Sequence, residues 1–119
     1  MKIELKQQFQ IESARFLPFL PVSHPCHKMH GHSFKITFTL TGEMDPRLGW
    51  LIDYNEIESL LKPLLALIDH KVLNEVLGLE NPTTENLCVW LYENARKALP
   101  LVSRVSISET TTTECSYPV

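Results

Sequence analysis

Apolar residues occupy alternate positions at the start of the chain. Ile3, Leu5, Phe9 and Ile11 are separated by polar residues, the period of a half-buried strand over residues 2–13. The alternation lapses from Ser13 to Met29, where Pro18, Pro21 and Pro25 predict an irregular loop. That loop keeps Phe16, Leu17, Phe19 and Leu20, so it is expected to cover part of the protein. From His32 to Thr41 the period of two returns, with Phe34, Ile36, Phe38 and Leu40 on one face and Ser33, Lys35, Thr37 and Thr39 on the other. Turn residues follow between Gly42 and Gly49, and Asp53 with Glu56 resembles a capping box that starts a helix. Ile57, Leu60, Leu61, Leu64 and Ile68 have helical spacing, and Pro63 is expected to bend or break that helix. Past an Asp69-His70-Lys71 turn, Asn81-Pro82-Thr83-Thr84-Glu85 reads as a second helix start. Its buried stripe is Leu87, Trp90, Leu91, Ala95 and Leu99, with Pro100 at its end. Val102, Val105 and Ile107 predict a strand, and a last short one runs through Cys115 and Tyr117. The order strand, strand, helix, helix, strand, strand points to an α+β fold with both helices on one face of a four-stranded antiparallel sheet.

Length adds that the 119 residues form a single domain, 1–119, with one hydrophobic core. A content of 44% hydrophobic and 21% charged residues is that of a globular protein. The net charge of -3, with basic residues scattered, argues against a nucleic-acid partner. No stretch has membrane-spanning length, and Glu4, Lys6, Gln7 and Gln8 interrupt the start of the chain where a signal peptide would be apolar. Cys26, Cys88 and Cys115 cannot all pair within the chain, which suggests reduced thiols and a cytoplasmic location. Cys88, on the second helix, is expected to be a core residue.

The chemistry concentrates in CHKMHGH, residues 26–32. His30 and His32 are two apart at the mouth of the second strand, so both rings point to one side, in line with the apolar Phe34, Ile36 and Phe38. A neutral imidazole on that face needs a partner for its nitrogens, either a metal ion or ordinary hydrogen bonds. Gly31 between them leaves room for close approach. Cys26 is either a small buried hydrophobe or a reactive thiol. His24, His27 and Lys28 nearby favour a thiolate, and Pro25 restricts the loop that presents it.

Five stretches in order, CHKMHGH at 26–32, GWLIDY at 49–54, LIDHKVLN at 67–74, NPTTENL at 81–87 and SETTTTECSY at 108–117, resemble the 6-pyruvoyl-tetrahydropterin synthase family. The C-x-x-x-H-G-H spacing is similar to its bacterial branch, the 6-carboxy-5,6,7,8-tetrahydropterin synthases of the queuosine pathway. The resemblance implies the tunnelling fold, in which such sheets join edge to edge into a barrel, and hence a homo-oligomer, a hexamer in size, with active sites between subunits. It also implies a lyase that converts the small-molecule substrate 7,8-dihydroneopterin triphosphate to 6-carboxytetrahydropterin with loss of triphosphate and acetaldehyde. Zinc, held by three histidines, is the implied cofactor and Lewis acid. Residue by residue, it makes His30 and His32 zinc ligands, Cys26 the thiolate base, and Asp69 with His70 the proton-transfer pair. Glu109 becomes the anchor of the pterin ring, Thr83 and Thr84 pterin contacts, and Lys28 and Lys35 candidates for the triphosphate.

One position departs from the family pattern. FQIESARFLP, residues 9–18, matches the segment that carries the third zinc histidine, but Arg15 stands at the histidine position. A guanidinium has no lone pair to offer and its fixed charge repels a divalent cation. Three accounts follow. The favoured one has His24, or less readily His27, complete the zinc site and leaves Arg15 to hold a substrate phosphate; in the others Cys26 becomes a ligand and is quenched as a base, or the chain is a non-catalytic pterin-binding or scaffold relative. A pterin lyase with a different side-chain substrate is a further alternative.

Overall fold

The computed structural model describes residues 1–119. Its elements are β1 (Lys2–Arg15), a short 3-10 turn (Pro25–His27), β2 (His30–Glu43), α1 (Tyr54–Ala66), a second 3-10 turn (Leu73–Glu75), α2 (Thr84–Ala98), β3 (Val102–Ser108) and β4 (Cys115–Tyr117). The four strands form one antiparallel sheet in the order β1-β2-β3-β4. The ββααββ order is the one the hydrophobic pattern predicts.

β1 and β2 pair without interruption from Lys2–Glu43 to Arg15–His30, two residues beyond the alternating run at either end of the second strand. Pairing extends there because it uses backbone groups only and does not require apolar side chains. Phe34, Ile36, Phe38 and Leu40 of β2 and Val102, Val105 and Ile107 of β3 point inward and are fully buried. Ile57, Leu61, Leu64 and Leu65 of α1 and Leu87, Cys88, Leu91 and Ala95 of α2 cover them, so a single core of 20 residues lies between the sheet and both helices. Cys88 belongs to that core, and burial beside Cys115 pushes its thiol pKa up to about 12.

The helix starts have local causes. Asp53 accepts from the Asn55 amide at the start of α1, and Thr83 accepts from the Asn86 amide at the start of α2. Pro63 neither breaks nor shortens α1 where it stands. The helix runs on through it to Ala66, forfeiting only the bond that an amide at 63 would make to the Ser59 carbonyl. No helix is long and apolar enough to cross a membrane.

β1 is an outer strand, and its free edge is partly covered. Ala14 donates to the Lys71 carbonyl (2.9 Å) and forms an isolated parallel bridge with Val72. The Asp69-His70-Lys71 turn is thereby drawn alongside the end of the β1–β2 hairpin.

Candidate active site

The end of that hairpin carries two adjoining groups of polar residues. The first lines an open cleft of about 520 Å3 and includes Glu12, Ser13, His32, Ser33, His70 and Lys71. Gly31 also faces it, and a side chain built at Gly31 would meet no protein atom within 4 Å, so its lack of one leaves the cleft open.

His70 reaches the cleft from a backbone with φ of 57°, the left-handed region that few residues other than glycine occupy. Neighbouring contacts hold it there. The His70 amide donates to the Glu12 carbonyl (2.6 Å), and the Glu12 amide donates to Asp69 Oδ1 (3.0 Å). The same Asp69 Oδ1 lies 2.9 Å from His70 Nδ1. The imidazole is therefore oriented through Nδ1 by a carboxylate that the β1 edge fixes, and Nε2 remains to exchange a proton. Glu12 is itself held ionised below the ordinary carboxylate range, first by the Ser33 hydroxyl (2.5 Å) and then by the Gln10 amide (2.9 Å). Ser13, on the inward face, donates to the Ile68 carbonyl and joins the turn to β1 from the other side.

The second group surrounds Arg15, whose side chain is only 6% exposed. Its Nη2 donates to Glu109 Oε1 at 2.6 Å, and Nη1 donates to the Pro82 carbonyl (3.1 Å) and the Thr84 hydroxyl (3.4 Å). The guanidinium also stacks on Phe34, 5.2 Å from the ring centre. Thr84 donates to the same Glu109 oxygen, while Glu109 Oε2 lies 3.8 Å from His32 Nε2. Thr83, by contrast, spends its hydroxyl on the helix cap, so of the two threonines only Thr84 meets Glu109.

His30 and His32 stand edge to face with ring centres 4.8 Å apart. His30 Nδ1 donates to the Lys28 carbonyl (2.7 Å), which leaves the lone pair on Nε2, buried and without a protein partner. Burial lowers the His32 pKa most; Glu109 opposes this, and Arg15 and His30 reinforce it.

Cys26 lies in the 3-10 turn Pro25–His27, half-exposed, and its carbonyl accepts from Leu17 (2.9 Å). His24 Nδ1 accepts from the Cys26 amide (3.1 Å), and His27 Nδ1 is 2.9 Å from the Leu20 carbonyl. Each thus turns one ring nitrogen into the loop's own backbone. The hairpin therefore brings together Arg15, His30, His32, Thr84 and Glu109, and the β1 edge adds Asp69 and His70. Glu12, Ser13, Ser33, Lys71 and Asn74 were not anticipated from the sequence. Ser13 and Arg15 had a legible signal, since both continue the inward parity of Ile11. Asn74 had none: it clasps the start of the loop through the Phe16 amide (3.0 Å) and carbonyl (2.8 Å), 58 residues away.

The family model for 6-pyruvoyl tetrahydropterin synthase matches residues 4–118. This chain belongs to the 6-pyruvoyl tetrahydropterin synthase family. It is 30% identical over 117 residues to a 6-carboxy-5,6,7,8-tetrahydropterin synthase of Synechocystis sp., an alignment that covers 93% of this chain and 89% of the relative. A dihydroneopterin monophosphate aldolase of Pyrococcus furiosus is 33% identical over 73 residues, 61% of this chain and 60% of that protein. The structure of the Caenorhabditis elegans 6-pyruvoyl tetrahydropterin synthase superposes with a TM-score of 0.90 at 21% identity, covering 98% of this chain and 95% of that one, which shows a common fold.

The three-histidine zinc set implied by the family resemblance does not fit these residues. His30 Nε2 offers a free lone pair, but the third corner holds a buried guanidinium, His24 caps its own turn, and Glu109 is engaged by Arg15 and Thr84. No group of three His, Cys, Asp or Glu side chains converges as a metal site requires.

Proposed function

We propose that this member of the 6-pyruvoyl tetrahydropterin synthase family is a lyase of the 6-carboxy-5,6,7,8-tetrahydropterin synthase type, acting on 7,8-dihydroneopterin triphosphate. The observation that carries the reading is the Asp69–His70 pair, held by the β1 edge at the same cleft as His32. The whole-chain similarity to the Synechocystis synthase supports the choice of substrate.

In this reading His70 Nε2 passes protons to and from the side chain of the pterin, while Asp69 keeps the proton on Nδ1 and stabilises the imidazolium when it forms. Cys26, in the 3-10 turn of the loop that connects β1 to β2, is the base. Glu109, with Oε1 occupied by Arg15 and Thr84, presents Oε2 to the amino edge of the pterin. Lys71, in the cleft, offers a positive charge to the phosphates. Arg15 takes the place of the third zinc ligand that the family resemblance implies. The site opens at the hairpin end, and a homo-oligomer built edge to edge would bring a second subunit beside it.

The test is mass spectrometry of products after incubation with 7,8-dihydroneopterin triphosphate. Formation of 6-carboxytetrahydropterin that disappears in Cys26→Ala and His70→Asn supports the assignment; no turnover by folded protein refutes it. The monophosphate belongs in the same experiment. The similarity to the Pyrococcus aldolase favours, as second reading, a lyase acting on that shorter chain. The engaged Glu109 carboxylate favours a third, a pterin-binding protein without catalysis.

A further inference from the structure

We infer that Arg15 closes this site to zinc: the guanidinium is the resident cation at the position of the family's metal, and His30 and His32 work without one. The inference concerns the cation and holds whichever pterin the site accepts.

Three observations carry it. The first is placement. Arg15 is the direct cross-strand partner of His30, and Ser13, two residues earlier, is the partner of His32, so Arg15 shares one sheet face and one end of the hairpin with the two histidines that would ligate the ion. The second is that Arg15 is built in. It is 6% exposed and bonded to Glu109, Pro82 and Thr84 while stacked on Phe34, so it cannot swing aside without stranding a buried charge. The third is the polar balance of what remains. Arg15 Nε keeps one buried donor without a partner, and His30 Nε2 one buried acceptor. The two atoms do not bond each other, and a divalent cation set between these opposed residues would satisfy the imidazole alone and be repelled by the guanidinium. Glu109 cannot substitute as a third ligand, because its carboxylate already neutralises Arg15.

The experiment uses the untagged full chain and zinc alone as the probe. Protein is equilibrated with excess zinc, desalted, and its metal content measured by inductively coupled plasma mass spectrometry; affinity is taken from competition with a chromogenic chelator. Wild type is expected to retain far less than one zinc per chain. Arg15→His, which restores the third imidazole, is expected to retain close to one and to bind on the order of 100-fold more tightly or better. Adding His30→Ala to that variant should abolish the gain. Stoichiometric zinc on wild type, lost in His30→Ala, overturns the inference and needs no Arg15 variant to fold. An Arg15→His protein with wild-type circular dichroism that gains no zinc overturns it as well, since something other than Arg15 would then be excluding the metal. Neither readout depends on turnover, so failure here is distinct from failure of the proposed lyase activity.

Discussion

Replacing Glu109 by Gln keeps the shape of the side chain and removes its charge, leaving the Arg15 guanidinium buried without a counter-ion. Removing one member of a buried pair costs about 3–5 kcal/mol, because the partner's desolvation is no longer offset. Here the loss is cushioned. The Pro82 carbonyl, the Thr84 hydroxyl and the Phe34 ring still receive the guanidinium, Glu109 is 16% exposed, and a glutamine carbonyl still accepts one bond. The lost component is one charge-assisted bond plus part of the desolvation, about 2–3 kcal/mol. For a domain of this size, about 4 °C per kcal/mol gives a fall in Tm of about 8–12 °C. The assay is urea unfolding followed by the fluorescence of Trp50 and Trp90, with a thermal scan at the same protein concentration, so that any change in association is held fixed. A double variant, Arg15→Met with Glu109→Leu, should recover most of the stability, since an apolar pair in place of a buried ion pair is near neutral. A loss below about 1 kcal/mol in Glu109→Gln, the range of exposed ion pairs, would refute the reasoning. It would show that water already screens Arg15 and remove the footing for exclusion of zinc.

Other expectations follow from the same geometry. His70→Asn retains a residue that tolerates positive φ, so unfolding midpoints should stay near wild type while kcat on the accepted pterin falls by about 100- to 10,000-fold; a comparable loss of stability and activity would contradict this. Native protein treated with iodoacetamide at mildly alkaline pH should be alkylated at Cys26 and spared at Cys88, whose buried thiol is pushed up to about 12, as read by peptide mass spectrometry. Glu12, whose ordinary pKa is 4.5, is lowered in the folded protein by Ser33 and Gln10. Between the lowered value and 4.5 the unfolded chain takes up a proton that the folded chain refuses. The stability it supplies is therefore present above 4.5 and lost as pH falls through the folded value. Glu12→Gln should flatten that acid limb in urea midpoints measured against pH.

The sheet was legible because β1 and β2 alternate cleanly, and the helices because Asp53 and Thr83 cap them where apolar spacing begins. The site was legible in composition but less so in arrangement. His30 and His32 share a face by parity alone, so their adjacency required no tertiary information. The choice between Thr83 and Thr84 did require it, because one residue of helix register decides which hydroxyl caps and which meets Glu109. The role of the Asp69–His70 turn was likewise hidden. Its left-handed backbone is stabilised by Glu12, more than fifty residues away, through bonds to the exposed edge of β1. Nothing in the local sequence reports such an edge.

Arg15 connects these levels. The period of two that buries Ile11 also carries Ser13 and Arg15 inward, so a strand built to make a core delivers a charge to the place where its apolar row ends. A charge delivered there has to be neutralised, and the carboxylate available is the one the family resemblance assigns to the pterin. In the proposed reading residue 15 therefore bears on two roles together: an arginine stands where the family resemblance places a zinc histidine, and it engages one oxygen of the Glu109 that the same resemblance assigns to the pterin. In the proposed reading, pterin binding turns on Glu109 Oε2, which lies 3.8 Å from His32 Nε2 and is not engaged by Arg15. If that oxygen binds the pterin, Arg15→Ala should weaken pterin binding by freeing Glu109 to rotate, whereas Arg15→Lys, which retains the charge but not the planar fork, should rescue it only in part.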